Sequence, residues 1–248
     1  MTLTEIRQKA EEMPLEKAVS WLADIIPSYG ISVAKLADTY SKRLIRLKEE
    51  RKRLLQMSEF EIQARSKGFV HIGGIDEAGR GPLAGPVVAG CVILPEDCFI
   101  EHLNDSKKLT PSLRDKLFDL IKKEAVDFGI GMIMPEEIDE INILNATKKA
   151  MIQAVSCLKT KPDYLIIDAL ELPLPITQLS VYKGDSLSVS VAAASIIAKV
   201  TRDRWMEEAH KLYPEYGFDR HKGYGTQEHM EAIKKFGLCP IHRKSFTH

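Results

Sequence analysis

Four acidic residues stand at positions suited to metal chemistry. Asp76-Glu77 follow the apolar run Phe69–Ile75, and Asp168 follows Tyr164-Leu-Ile-Ile167. Asp185 lies in Lys183-Gly-Asp-Ser186, just ahead of a helical pattern. Carboxylates at the carboxyl ends of strands in an open α/β sheet sit where such folds bind ligands. Held together they repel and raise one another's pKa, and a divalent cation removes that cost. No His or Cys stands beside them, so the donors are all hard oxygen, which suits Mg²⁺ or Mn²⁺ rather than Zn²⁺. A carboxylate cage with such cations is a recurring device for phosphoryl transfer, in which two metals activate water and stabilise the leaving oxygen. Taken singly, each acid also reads as a surface charge, and Asp185 as the N-cap of the following helix. The chemistry therefore rests on the four converging.

The residues after the first pair point the same way. Asp76-Glu-Ala-Gly79-Arg80-Gly81-Pro-Leu-Ala-Gly85-Pro86 is a glycine-rich turn. Glycine permits close backbone approach and presents N–H groups to an anion. Arg80 between two glycines places a guanidinium fork within reach of a phosphate. An ordinary loop between strands would read alike.

These residues need a scaffold to bring them together, and the chain supplies two textures. Residues 1–67 hold one glycine and two prolines, and Val33, Leu36, Tyr40, Leu44 and Leu47 recur at helical spacing. Pro14 and Pro27-Ser-Tyr-Gly30 divide this region into two short helices and one long one. The long helix carries the basic run Lys42 to Arg53, which reads either as a solvated face or as a hold on phosphate backbone.

From residue 68 onward strands are expected at Phe69–Ile75, Val87–Leu94, Asp127–Met134, Tyr164–Ile167 and Ile176–Tyr182. Helices are expected at Pro111–Lys123, Ile141–Leu158 and Ser186–Ala209. Strands first, then strands alternating with helices, indicate an α/β domain on a mixed sheet. The reading is thus a helical extension over 1–67, then an α/β domain over 68–248.

Composition sets looser bounds. The chain has 248 residues, 44% hydrophobic and 28% charged, enough for one sizeable core and an accessory piece. Lys+Arg and Asp+Glu are both 35, so net charge neither points to nucleic acid nor excludes it. Cys91, Cys98, Cys157 and Cys239 form no C-x-x-C pair and read as reduced thiols of a cytoplasmic protein. No signal peptide and no membrane-length apolar run is seen. His210, His229, His242 and His248 show no ligand spacing and are expected at the surface. Trp205 and Met206 are expected in the core.

Gly74-Ile-Asp-Glu-Ala-Gly-Arg-Gly-Pro-Leu-Ala-Gly-Pro-Val-Val-Ala89 resembles the signature of bacterial ribonuclease HII. The resemblance continues through Asp105-Ser-Lys-Lys-Leu109, Ile141-Asn-Ile-Leu-Asn-Ala-Thr147, Leu165-Ile-Ile-Asp168, Gly184-Asp-Ser186, Ala192–Asp203 and His221-Lys-Gly-Tyr-Gly-Thr226. It covers about residues 70–245. The related ribonuclease HIII would carry Val-Gly-Thr-Gly where this chain has Ala78-Gly-Arg-Gly81.

The resemblance implies a ribonuclease H-like fold with a mixed five-stranded central sheet, preceded here by the helical extension. It implies a monomeric endonuclease acting on RNA–DNA hybrids and on duplex DNA containing ribonucleotides. Asp76, Glu77, Asp168 and Asp185 would be the catalytic and metal-binding carboxylates. Gly79, Arg80 and Gly81 would read the 2′-hydroxyl, the natural handle for telling RNA from DNA. Tyr224 would pack on the following deoxyribose. Lys107, Lys199 and Arg202 are candidate phosphate contacts, although a solvated helix face explains the last two equally well, and His221 and Lys222 flank Tyr224. Another metal nuclease of the same fold type, such as a junction resolvase, and a non-catalytic hybrid-binding protein remain as alternatives.

Overall fold

In the computed structural model, which describes residues 1–247, the chain forms two compact units, Met1–Leu55 and Gln56–His248. The first is helical: α1 (Leu3–Glu11), α2 (Leu15–Tyr29) and α3 (Ile31–Met57). Thr2 starts α1 with a capping box, its hydroxyl accepting from the Glu5 amide while the Glu5 carboxylate accepts from the Thr2 amide at 2.8 Å. Ile6, Ala10, Ala18, Leu22, Val33, Leu36, Ala37 and Tyr40 meet in its core. The break between α2 and α3 falls at Gly30, whose φ of 72° ends the helix, whereas Pro27 is carried inside α2. A fourth helix, α4 (Glu59–Ser66), belongs with the second unit.

The second unit is built on a five-stranded sheet of order β3-β2-β1-β4-β5. Its strands are β1 (Ile72–Ala78), β2 (Val87–Ile93), β3 (Asp127–Ile133), β4 (Tyr164–Asp168) and β5 (Thr177–Val181). The pairs β1–β2 and β2–β3 are antiparallel; β1–β4 and β4–β5 are parallel. The helices are α5 (Pro111–Glu124), α6 (Pro135–Ser156), α7 (Gly184–Leu187), α8 (Val189–Leu212), α9 (Phe218–His221) and α10 (Gln227–Phe236).

Strand alternation gives the sheet two apolar faces, and glycines let the helices press close. A Cβ on Gly129 or Gly131 would stand 2.0 and 1.9 Å from carbonyl oxygens of Ala154 and Ala150 in α6. A Cβ on Gly74 would stand 2.1 Å from the Ser190 backbone at the start of α8. Ile75, Leu165 and Ile167 pack on the α6 side with Ala150, Met151 and Ala154, and Ile72 and Ile166 meet Val191 of α8. Each fully buried aliphatic side chain contributes about 1.5–3 kcal/mol. This clamping fixes the two strand ends that carry Asp76 and Asp168.

Two expected helices differ in detail. The helix expected at Ile141 begins at Pro135 and breaks at Asn142 (φ 64°, ψ 164°), whose Oδ1 accepts from the amides of Leu144 and Asn145 and restarts the helix. The helix expected from Ser186 is two, α7 and α8, separated by Ser188, whose hydroxyl accepts from the Val191 amide at 3.2 Å. Ser188 therefore caps α8, and Asp185 is not its N-cap.

Candidate active site

The register of the parallel pair places Ile75 beside Ile167, so Asp76 and Asp168 follow side by side; Asp168 ends β4, whereas β1, expected to stop at Ile75, runs on through Asp76 and Glu77 to Ala78 against β2. Asp185 is delivered by α7 through a backbone tie: the Gly184 amide donates to Asp168 Oδ1 at 2.8 Å. Asp76 is buried, and its Oδ1 accepts from the Glu77 amide at 2.7 Å. Burial, then repulsion from Glu77, Asp168 and Asp185, holds the Asp76 carboxyl well above the usual carboxylate range. Glu77 is raised by burial, with Arg80 opposing, and Asp185 is raised by burial and by Asp105.

Lys107 stands in the same field. Burial works against its charge, but Asp76, Asp185, Asp105 and Asp168 together lift its pKa. Asp105 is a fifth acid that sequence reasoning quoted only inside a motif. Its carboxylate accepts from the Lys107 amide at 2.9 Å and, beside Asp185, helps raise that residue's pKa.

The donor set fits a hard divalent cation. It is all carboxylate, the acids repel one another, and the buried Oε2 of Glu77 meets no hydrogen-bond partner. Among the described residues no three His, Cys, Asp or Glu side chains stand at metal-binding spacing.

Beside the acids, the turn from Gly79 to Pro86 is organised by two buried arginines. Arg243, 0% exposed, donates to the carbonyls of Gly79 (2.6 Å), Arg80 (3.0 Å) and Gly85 (2.8 and 2.9 Å). Arg202, 1% exposed, donates to the carbonyls of Pro86 (2.9 Å) and Ala84 (3.1 Å). Carbonyls drawn inward leave amides outward: the N–H groups of Gly79, Arg80 and Gly81 enter no hydrogen bond among the described residues. Gly79 is at φ 95°, and a Cβ there would lie 2.1 Å from Arg202 Nε, so glycine is required on both counts.

Among the described residues neither arginine is paired with a carboxylate. Burial, then the neighbouring Arg202, pushes Arg243 down to about 9. Two uncompensated cations under outward amides make the turn attractive to an anion. Arg202 was a candidate phosphate contact by sequence; it is instead a buried support of the turn.

Tyr224 comes to the same place from a distant segment. It is 45% exposed, its Cε1 is the atom nearest a Cβ on Gly81 (3.9 Å), and the Arg202 guanidinium carbon lies 5.9 Å from its ring centre. The Leu83 amide donates to Gly223 O at 2.9 Å, tying turn to tyrosine segment. The two remaining lysines of interest are otherwise engaged. Lys199 Nζ lies 2.7 Å from Asp203 Oδ1, while Asp203 Oδ2 faces Arg114, and Lys222 Nζ lies 2.7 Å from Glu207. His221 is half-buried, its Nε2 on the carbonyl of Tyr216.

The histidine expectation is corrected. His229 and His242 are buried, at 0% and 3% exposure, because their ring nitrogens satisfy one another and nearby backbone. His210 is half-buried beside Asp219, and His248 lies outside the described residues. Met206 is fully buried, with Trp205 packed against its cluster. All four cysteines are free thiols.

Paired strand-end carboxylates on a mixed sheet, flanked by an anion-seeking turn, are the arrangement of the ribonuclease H-like metal-dependent nucleases. The ribonuclease HII family profile matches residues 73–248. Ribonuclease HII of Acetivibrio thermocellus is 56% identical over 248 residues, spanning 100% of this chain and 97% of that protein. Ribonuclease HII of Clostridioides difficile (strain 630) is 52% identical over 246 residues, spanning 99% and 96%. The crystal structure of ribonuclease H2 from Pyrococcus horikoshii OT3 superposes with a TM-score of 0.60 at 33% identity, covering 71% of this chain and 93% of that one. The chain belongs to the ribonuclease HII family and is a metal-dependent endoribonuclease acting on RNA–DNA hybrids. Among the described residues no helix is long and apolar enough to cross a membrane.

Proposed function

We propose that this enzyme cuts 5′ to a ribonucleotide, both in hybrids and in duplex DNA carrying single ribonucleotides, leaving 3′-hydroxyl and 5′-phosphate ends. The observation that carries this reading is the juxtaposition of four mutually repelling acids with a turn whose Gly79, Arg80 and Gly81 amides are free and whose carbonyls are locked inward. Asp76, Glu77, Asp168 and Asp185 hold two divalent cations, Mg²⁺ or Mn²⁺. When bound, these supply charge stabilisation at the phosphorus and a more acidic water.

The chain's own residues do the selecting. The Gly79, Arg80 and Gly81 amides bind the ribose 2′-hydroxyl and the adjoining phosphate, with the Arg80 fork as a further donor. The Tyr224 ring packs on the next sugar, where a 2′-hydroxyl would prevent close contact. Lys107 offsets the acids and meets phosphate. Lys199, already engaged by Asp203, is the weaker phosphate contact. The enzyme works as a cytoplasmic monomer.

A DNA duplex bearing one ribonucleotide tests this, with products mapped to the nucleotide. Cleavage on its 5′ side with Mg²⁺ or Mn²⁺, and none of all-DNA duplex, is expected; cleavage of all-DNA would point to another metal nuclease.

The helical extension over residues 1–67 strengthens substrate binding in this reading. Within its basic run, Lys42, Lys48 and Arg53 are paired with Asp38, Glu16 and Glu50. Arg43 instead lines a cleft with Arg7 and Lys35. Replacing these three by Ser should weaken hybrid binding and flatten its salt dependence by about one unit of slope per lost phosphate contact. Unchanged affinity and slope would assign the extension another role.

A further inference from the structure

Tyr224 is held by an arrangement of imidazoles outside the acid site. Its carbonyl oxygen accepts from the Thr226 amide (2.8 Å) and faces His229 Nδ1 at 3.0 Å. His229 Nε2 lies 3.0 Å from His242 Nε2, and His242 Nδ1 lies 2.9 Å from the Cys239 amide nitrogen. These contacts fix the protons. A carbonyl only accepts, so His229 Nδ1 carries hydrogen. A neutral His229 then offers a lone pair at Nε2, so His242 Nε2 carries hydrogen. His242 Nδ1 is left bare, and its nearest neighbour is the Cys239 amide, closer than the Cys239 thiol at 3.1 Å or carbonyl at 3.3 Å. Starting from Cys239 and working back gives the same assignment.

The relay joins two segments that the site needs in register. At one end is the Tyr224 platform. At the other is the 239–243 segment, whose Arg243 grips the Gly79 and Arg80 carbonyls. The Ile241 carbonyl also accepts from the Gly85 amide at 2.8 Å. His221 stacks on the His229 ring with centroids 4.5 Å apart, and Phe218 meets it edge-on at 5.4 Å, so the ring cannot swing away.

We propose that His229 and His242, each in a single neutral tautomer, are positioning residues that set the distance between Tyr224 and the Gly79–Gly81 turn, and so set the enzyme's preference for deoxyribose after the ribonucleotide. This rests on the reading of Tyr224 given above. A proton on His229 Nε2 would face the His242 Nε2–H across 3.0 Å, and one on His242 Nδ1 would face the Cys239 amide across 2.9 Å. The other titratable groups on packed elements are His221, Glu228, Tyr216 and Cys239. Burial lowers the pKa of both histidines, in keeping with neutral rings.

Two measurements on the full chain test the relay. Long-range ¹H–¹⁵N spectra of the wild-type protein should show His229 as the Nδ1–H form and His242 as the Nε2–H form; His229 as Nε2–H would overturn the proposal without any variant. The second is the ratio of kcat/KM on a duplex with one ribonucleotide to that on a uniform RNA–DNA hybrid. His229→Leu should lower this ratio about tenfold, the scale of one buried hydrogen bond and its stranded acceptor. His229→Asn, which keeps a donor where Nδ1 stood, should restore most of it. A purely structural role would lower both activities together and leave the ratio unmoved. If Tyr224→Leu lowers the ratio but His229→Leu does not, the relay fails and the reading of Tyr224 stands. If Tyr224→Leu leaves the ratio unchanged, that reading fails and the relay's role in recognition falls with it.

Discussion

At the ends of β1 and β4 acids crowd together with Lys107 among them, and a buried carboxylate oxygen of Glu77 has no partner. A few residues further along, between Gly79 and Pro86, two buried arginines reach six times to main-chain carbonyls and, among the described residues, to no acid. Both regions hold uncompensated charge out of water, which is costly. They differ in what would relieve it. The acids are incomplete as a set and become favourable only with cations added. The arginines are largely complete through the backbone; apart from the buried Nη1 of Arg202, what they leave open is the amides of Gly79, Arg80 and Gly81. One region is poised for a ligand to finish it; the other is nearly finished before the ligand arrives.

The largest effect that would break this contrast is at Asp76. Asp76→Asn should lower cleavage by about 10³-fold or more, the scale of losing several kcal/mol of metal-borne stabilisation, while hybrid binding persists. The same change should raise stability without metal by about 0.5–2 kcal/mol, since it removes a repelled, buried charge. Paired activity and urea-unfolding measurements check both halves. Loss of activity with loss of stability would mean that Asp76 serves the fold.

Next in size is Arg243→Met. It strands the carbonyls of Gly79, Arg80 and Gly85 together and should cost about 3–5 kcal/mol. That corresponds to a fall in melting temperature of about 2–4 °C per kcal/mol for a chain of this length. A loss below about 1 kcal/mol in urea unfolding would show that the turn holds its shape unaided.

The smallest effect sharpens the comparison through pH. His242 is pushed down to about 4 by burial, chiefly, and by His229. Unfolded, it takes up a proton near the ordinary histidine value of about 6.5. Its contribution is therefore present above that value and is lost as pH falls toward 4. The acids run the other way. Asp76, Glu77 and Asp185 have raised folded-state pKa values, so their strain is relieved as pH falls through that raised range. In EDTA the two trends oppose each other. Asp76→Asn should consequently lose stability more steeply than wild type between about pH 6.5 and 4, as followed by melting temperature; parallel curves would refute the opposition.

Much of this was legible in the chain. The strand-end acids, the Gly79-Arg80-Gly81 turn and the helical texture of the first residues all leave local signatures: apolar runs ending in carboxylates, glycine spacing, and a three-and-four periodicity. The five strands and the mixed sheet followed from the same patterning. What stayed hidden depends on contacts between distant residues. Nothing around Arg243 distinguishes it from a solvated arginine until Gly79, Arg80 and Gly85 are seen facing it. His229 and His242 look like surface residues because each lacks ligand spacing, yet each buries by satisfying the other. Asp105 sits in a short basic motif whose sequence suggests phosphate contact, and only the fold turns its carboxylate toward Asp185. Within the Pro27-Ser-Tyr-Gly30 break legible in the sequence, it is Gly30 that ends α2.

The bond from Arg243 to the Gly79 carbonyl closes a loop of 164 residues. During synthesis at about 5–20 residues per second, residue 79 leaves the ribosome about ten to thirty seconds before its partner is made. From Asp185 onward the nascent chain carries all four acids but no finished turn to choose a substrate. A copy cut short before residue 243 never acquires one. The wiring of a single guanidinium thus makes selectivity one of the last properties the growing polypeptide gains.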